Sequence, residues 1–242
     1  ELLRYPELLG QAMVVGGRTI HQPVLRPDGT RHFFRLRDYA GRGVITTSTY
    51  EARAWGVHSG MGLMKAAQIA PDAILLPANF DAYRDYSRRF KAAVAQIAPL
   101  IEDRGIDEIY IDLGHHHDES NVLARRIKQA VFDVCGLTCS IGISPNKMLS
   151  KICSDLDKPD GITILAKEEI PNRIWPLAAK KINGIGPKAS QKLSRLGIYT
   201  IGELAATPLA VLVHEFGRTN GPWLHEVAQG IDERPVITAC EP

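Results

Sequence analysis

No apolar stretch in this 242-residue chain approaches the ~20 residues that cross a bilayer, so no membrane-spanning helix is expected. Paired cysteine spacing is missing too. Cys135, Cys139, Cys153 and Cys240 sit in or beside apolar runs with no CxxC between them. That pattern fits reduced, partly buried thiols in a cytoplasmic protein better than a zinc site or disulfide frame. A secretory leader is not read either, because Glu1 to Gly10 carry charge and a proline where a leader would be apolar. With no methionine at its first position, the chain is expected to begin inside a fold. The net charge of +2 excludes a uniformly basic coat for nucleic acid, so any such contact has to come from local clusters. There is no internal repeat or low-complexity tract.

Local clusters are present. Lys180, Lys181, Lys188, Lys192 and Arg195 lie in one stretch without an acid, and six arginines fall between Arg18 and Arg42 against Asp28 and Asp38. The length is that of two or three compact units. Residues 12–16, 43–49 and 73–77 are short β-branched or apolar runs bounded by Gly or Pro, and each predicts a strand, with a helix over 61–70. Tyr83, Tyr86, Phe90, Val94 and Ile97 recur at helical spacing over 81–98, stopped by Pro99. A strand at 109–113 follows, then a helix over 121–134 closed by Gly136, a strand at 137–143, a helix over 145–156 and a strand at 161–165. This order predicts a sheet covered by helices on one face. After Lys167 only short helices separated by Gly and Pro are expected.

Asp107 and Glu108 stand side by side at the mouth of the strand that begins at Ile109. Adjacent carboxylates repel, and a divalent cation relieves this; Mg²⁺ takes one or two carboxylates plus phosphate oxygens and water. On the dipeptide alone, a turn cap before the strand is the commoner role. Further on, Ser140-Ile141-Gly142-Ile143-Ser144-Pro145-Asn146-Lys147, then Lys151, then Lys158-Pro159-Asp160-Gly161 bring lysines back toward one end of the sheet. Lysines there suit a polyphosphate, although solvent is the usual fate of each one taken singly.

Together these segments resemble the palm of the Y-family, DinB/UmuC-like translesion DNA polymerases of the DNA polymerase IV type. That family carries an S-x-D-E motif and a G-x-[AS]-x-N-K…K-P-x-G segment in this order. Thr46 to Arg53, followed by Gly56-Val57, resembles its finger motif, and Ile182-Asn183-Gly184-Ile185-Gly186-Pro187-Lys188 resembles its thumb hairpin.

The resemblance implies an α+β fold: a right-hand palm with a mixed sheet covered by helices, small α/β fingers and an all-α helix-hairpin-helix thumb. Fingers are expected at 1–78, palm at 79–167 and thumb at 168–242. It implies template-directed DNA synthesis across damaged template, with two Mg²⁺ ions assisting attack of the primer 3′-hydroxyl on the incoming nucleotide. Asp107 and Glu108 match two of the family's three metal-holding carboxylates. Thr47, Tyr50, Arg53 and Lys158 match the positions that contact the triphosphate. Gly184, Gly186, Lys188 and Lys192 match the hairpin that holds the DNA backbone. Primer–template DNA and deoxynucleotides are the implied partners, with a sliding clamp through a region beyond Pro242; a monomer is expected. The family's opening strand, bearing D-x-D-x-F-F with the third carboxylate and a sugar-selecting aromatic, aligns before Glu1, so the chain as written is not expected to catalyse alone. Gly105 stands where the family has Ser. A non-catalytic repair scaffold on the same fold is the alternative, disfavoured by the presence of Asp107, Glu108, Tyr50, Arg53 and Lys158. A palm-fold nucleotide cyclase is disfavoured by the basic hairpin.

Residues 18–42 are longer than the compact fingers of that branch. Pro27-Asp28-Gly29 between Pro23-Val24-Leu25 and Phe33-Phe34 predicts a β-hairpin insertion. Its arginines with Phe33, Phe34 and Tyr39 are read as a template-contacting surface or, equally, as a solvated decoration. His115-His116-His117-Asp118 reads as a polar turn, since three consecutive residues do not converge on one tetrahedral ion.

Overall fold

The computed structural model describes residues 1–238, so Cys240 and the last residues of the expected thumb lie outside it. The chain divides into two compact units, Glu1–Arg84 and Asp85–Pro242. Among the described residues no helix is long and apolar enough to cross a membrane.

In the first unit the strand β1 (Met13–Gly17) is central. The hairpin β2 (Val24–Leu25) and β3 (Arg31–His32) follows, then β4 (Thr47–Ser48), α1 (Tyr50–Ala54), α2 (Leu63–Ile69) and β5 (Ile74–Pro77). β1 pairs antiparallel with β4 and parallel with β5, so Val14 lies between Ser48 and Leu75. The apolar faces of these elements close a core of Val14, Leu36, Ile45, Val57, Leu63 and Leu75, and Tyr39 is part of it. The expected strand at 43–49 shrinks to Thr47–Ser48. Thr46 N–H still donates to Val15 of β1, but Ile45 N–H turns away and donates to Met61.

The predicted hairpin insertion is present, with Val24 opposite His32 and Leu25 opposite Arg31. Its six arginines are all exposed, and several of its side chains also make contacts within the unit. Arg31 pairs with Glu7 at 2.7 Å, Arg37 pairs with Asp72, and Arg35 donates to the Asp72 carbonyl at 2.5 Å. Tyr39 is 4% exposed and its hydroxyl accepts the Gly43 N–H. Phe33 packs edge-on against Tyr5, and Phe34 against His21. Most of the side chains read as a stacking platform therefore hold this unit together.

The second unit contains α3 (Phe80–Ala95) from Asp85 onward, β6 (Ile101–Asp103), β7 (Ile109–Ile111), α4 (Ser120–Cys135), β8 (Ile141–Ile143), α5 (Lys147–Leu156) and β9 (Ile162–Ile164). Then come α6 (Ile170–Arg173), α7 (Pro187–Arg195), α8 (Ile201–Ala206) and α9 (Leu209–Ala228), the last broken at Gly217. β6 and β7 form an antiparallel ladder, β8 and β9 a parallel one. The mixed character expected of the palm is thus divided between two ladders, and β6 was missing from the sequence reading.

α3 and α4 lay Val94, Leu123, Ile127 and Val131 beneath both ladders, against Ile109, Ile111 and Ile141. The apolar face of α5 carries Met148, Leu149, Ile152 and Cys153 into a second core shared with Ile174, Ile182, Leu193, Leu204 and Leu224 of the helical part. α5 also lies unusually close to β8. A Cβ at Gly142 would stand 2.3 Å from the Ser150 carbonyl oxygen and 2.4 Å from the Ser154 nitrogen, so only glycine fits.

Gly142→Ala is therefore expected to cost about 2 to 3 kcal/mol by forcing helix and strand apart. Gly186→Ala, where a Cβ meets nothing within 4 Å, is expected to cost less than about 1 kcal/mol. Urea denaturation of the two variants checks the contrast.

Candidate active site

Asp107 lies in the bend that leads into β7, and Glu108 is the residue before that strand. They stand at a groove of about 770 Å³ within the second unit. One wall is β7, the other is β8 with the start of α5, and the floor is Phe90, Val94, Ile127 and Val131. β7 pairs with β6 on one edge and β8 pairs with β9, and among the described residues neither has a second strand partner. The groove thus has two open strand edges over an apolar floor, with carboxylates and lysines at its mouth.

Helix α5 brings the cations. Asn146 caps it, its Oδ1 accepting the Leu149 N–H at 3.0 Å. Lys147 and Lys151, four residues apart, lie on one stripe facing the β6–β7 ladder. Lys147 donates to Glu102 Oε2 at 2.7 Å, and both side chains are nearly buried, 10% and 7% exposed. Lys151 pairs with Glu108. The ring of Tyr110 lies 5.5 Å from the Lys147 ammonium.

Glu102 also accepts the Ile237 N–H at 2.9 Å, so the segment after α9 is tied to the same post. Asp232 on that segment accepts the Met148 N–H at 3.1 Å at the α5 N-terminus, where the helix dipole favours an anion. The Arg234 guanidinium on Asp232 holds its carboxyl below the usual range, against the opposing effect of burial. For Glu102 burial is the largest influence and acts upward. The Lys147 ammonium, the Ile237 amide and Arg104 together outweigh it and leave the carboxyl below its ordinary value.

The remaining sequence-predicted residues fall as follows. Lys158 lines the groove and pairs with Asp155 at 2.6 Å. Thr47, Tyr50 and Arg53 lie together in the first unit, around the start of α1. Thr47 and Tyr50 are exposed, Arg53 stacks over the Tyr50 ring at 5.1 Å, and its Nε donates to the Ser48 carbonyl. Gly184 has φ +108 in the turn before α7, and a Cβ there would meet Trp223 at 2.8 Å, so both backbone and packing demand glycine. Gly186 stands just before α7 and Lys188 is exposed on it. Lys192 is engaged internally, paired with Glu215 at 3.3 Å and set over Phe216.

His115 to His117 lie in the turn after β7, and no group of three metal-ligating side chains occurs among the described residues. Cys135, Cys139 and Cys153 are free thiols, and burial pushes Cys153 up to about 11. Asp107 and Glu108 offer only hard oxygen donors, which fits Mg²⁺ with its other positions left to substrate oxygens, water or a further carboxylate.

A profile of the impB/mucB/samB family matches residues 1–155. The chain belongs to that family. Its motifs are those of the DinB-type Y-family polymerases, and a profile of the DNA polymerase-iota thumb domain matches residues 180–232. DNA polymerase IV of Moorella thermoacetica is 35% identical over 96% of this chain and 54% of its own length. DNA polymerase IV 1 of Halalkalibacterium halodurans is 42% identical over 81% of this chain and 48% of its own. The chain thus spans about half the length of these curated relatives. DinB from Sulfolobus solfataricus superimposes with a TM-score of 0.80 at 29% identity, covering 98% of this chain and 65% of that one. A structure described as the insertion ternary complex of Dbh DNA polymerase gives 0.77 at 30%, covering 97% of this chain and 64% of that one. The Y-family polymerase fold expected from the motifs is the fold observed.

Glu102 and Asp232 were missed as site-supporting residues, and Lys147, read among the lysines suited to a polyphosphate, is instead nearly buried on Glu102. Glu102→Gln is expected to cost about 3 kcal/mol at neutral pH by leaving Lys147 buried without its counter-ion. Because the folded-state pKa of Glu102 is depressed, the stabilisation is complete above the ordinary glutamate value of about 4.3. It fades as pH falls through the lower, folded-state value. Denaturation of wild type and variant between pH 7 and pH 3 checks this: the gap between them should narrow toward the acid end.

Proposed function

We propose that the protein is a translesion DNA polymerase, joining deoxynucleotides to a primer 3′-end on damaged template. The observation that carries this reading is the pair Asp107 and Glu108 at the mouth of a groove flanked by Lys151 and Lys158, in a chain of this family. Two divalent cations bound there would supply charge neutralisation and activation of the attacking oxygen.

The chain's own residues position. Asp107 and Glu108 would hold the cations, and Lys158 would draw the triphosphate. Arg53 and Tyr50 suit β- and γ-phosphate oxygens, the planar guanidinium by bidentate contact. The turn at Gly184 and Gly186 would present backbone N–H groups at the start of α7 to a DNA phosphate, with Lys188 adding sequence-independent attraction. Lys192 would have to leave Glu215 to join it.

The groove between β7 and β8 suits an extended segment with alternating apolar side chains, and the family's opening strand with the third carboxylate is the occupant we assign to it. The fingers, palm and thumb division at 1–78, 79–167 and 168–242 belongs to the same reading. Sliding-clamp recruitment rests on the resemblance, the cytoplasmic setting on the unpaired cysteines, and the monomeric state is the default. DNA and nucleotide as partners draw support from the neighbour described as an insertion ternary complex.

Primer extension by the full-length protein with Mg²⁺ and deoxynucleotides tests this. The Asp107→Ala, Glu108→Ala double variant should lose extension by ~10³ or more while DNA affinity stays within about twofold. No extension by the intact protein, with DNA binding retained, would replace the polymerase with a repair scaffold.

A further inference from the structure

Three charges on α5 recur at four-residue spacing, and each has a partner. Lys147 holds Glu102, Lys151 holds Glu108, and Asp155 holds Lys158. The partnerships are not equivalent. The first is nearly buried, and Glu102 is fixed further by the Ile237 amide. The second stands at the open groove: Lys151 is 25% and Glu108 45% exposed, and no other hydrogen bond holds the Lys151 ammonium among the described residues. A pair this exposed is weak and easily exchanged. Its carboxylate is one of the two assigned above to cation binding, so an ammonium and a divalent cation compete for the same oxygens.

We propose that Lys151 is the resident counter-ion of Glu108, displaced from it when a divalent cation binds, and that the released ammonium turns to the phosphate oxygens of the substrate. This rests on the cation-binding reading of Asp107 and Glu108. No bond forms or breaks; one positive charge leaves the carboxylate as two arrive. The pair keeps Glu108 aimed into the groove and limits the repulsion from Asp107. The exchange then places the freed cation beside the groove in which the polyphosphate is expected. Lys147 cannot take this part, because its partner is buried and tied to two other groups.

Amine acetylation of the full-length protein, read by mass spectrometry, tests the displacement. With Mg²⁺ at saturation and ionic strength matched, Lys151 should label about threefold faster, as release from an exposed pair implies, while Lys147 stays protected. In Glu108→Ala, Lys151 should label fast with or without Mg²⁺. Mn²⁺ binding, followed by the loss of the free-ion electron paramagnetic resonance signal, gives a second reading. Lys151→Met should bind Mn²⁺ about threefold more tightly, and Lys151→Arg should bind it as wild type does. Saturable Mn²⁺ binding that depends on Glu108, with Lys151 labelling indifferent to Mg²⁺, would overturn this inference and leave the polymerase reading standing. Mn²⁺ binding unchanged by Glu108→Ala would overturn the cation-site reading itself, and this inference with it.

Discussion

Helix α5 has to lie against β8 at a distance only glycine permits, and a nearly buried ion pair fixes it against β6. Those two constraints set the second unit. Gly142 fixes the depth of the helix, and Lys147 on Glu102 fixes its rotation. With rotation set, Met148, Leu149, Ile152 and Cys153 point into the core shared with the thumb helices, and Lys151 faces Glu108. A buried ion pair gives little net stability, because desolvation offsets its attraction; what it gives here is register. The Ile237 amide on Glu102 and Asp232 on the α5 N-terminus extend the same post to the segment that leaves α9.

The chemistry follows from how the two ladders stop. Among the described residues β6–β7 and β8–β9 each end in an open edge above apolar side chains of α3 and α4. Backbone edges left open are normally paired or covered, so a groove with two of them is shaped for a strand. The acids at its mouth come from the bend and the residue just before β7 rather than from the ladder, and the one ion pair on them among the described residues, Lys151 with Glu108, is solvent-accessible. Lysines from α5 and from the turn after it surround them. Carboxylates that repel and cations that a polyphosphate can borrow are therefore gathered by local geometry, before any substrate contributes.

Much of this was legible in the sequence. The helix at 145–156, the strand before it and the acidic pair could be read because each depends on near neighbours: an Asn cap, a short β-branched run, two adjacent carboxylates. Glu102 could not. Its partner is Lys147, 45 positions away, and β6 is a three-residue strand containing two acids, which no strand propensity favours. The hairpin insertion was legible as a hairpin, but the packing of its aromatics was not. Tyr39 and Phe33 look like stacking aromatics until Tyr5 and Gly43 are brought against them by the fold. Lys192 likewise looks free until α9 delivers Glu215. Local periodicity locates elements, and long-range pairing decides which of their side chains stay available.

Glu102 and Lys147 act as one unit, and a double-mutant cycle tests this most directly. Glu102→Gln, Lys147→Met and the double variant would be measured by urea denaturation at neutral pH. A coupling energy of about 1 kcal/mol or more, with the double variant more stable than the sum of the single losses, is the predicted result. Losses that add to within about 0.3 kcal/mol would mean that the two side chains act independently and that something else sets the register of α5.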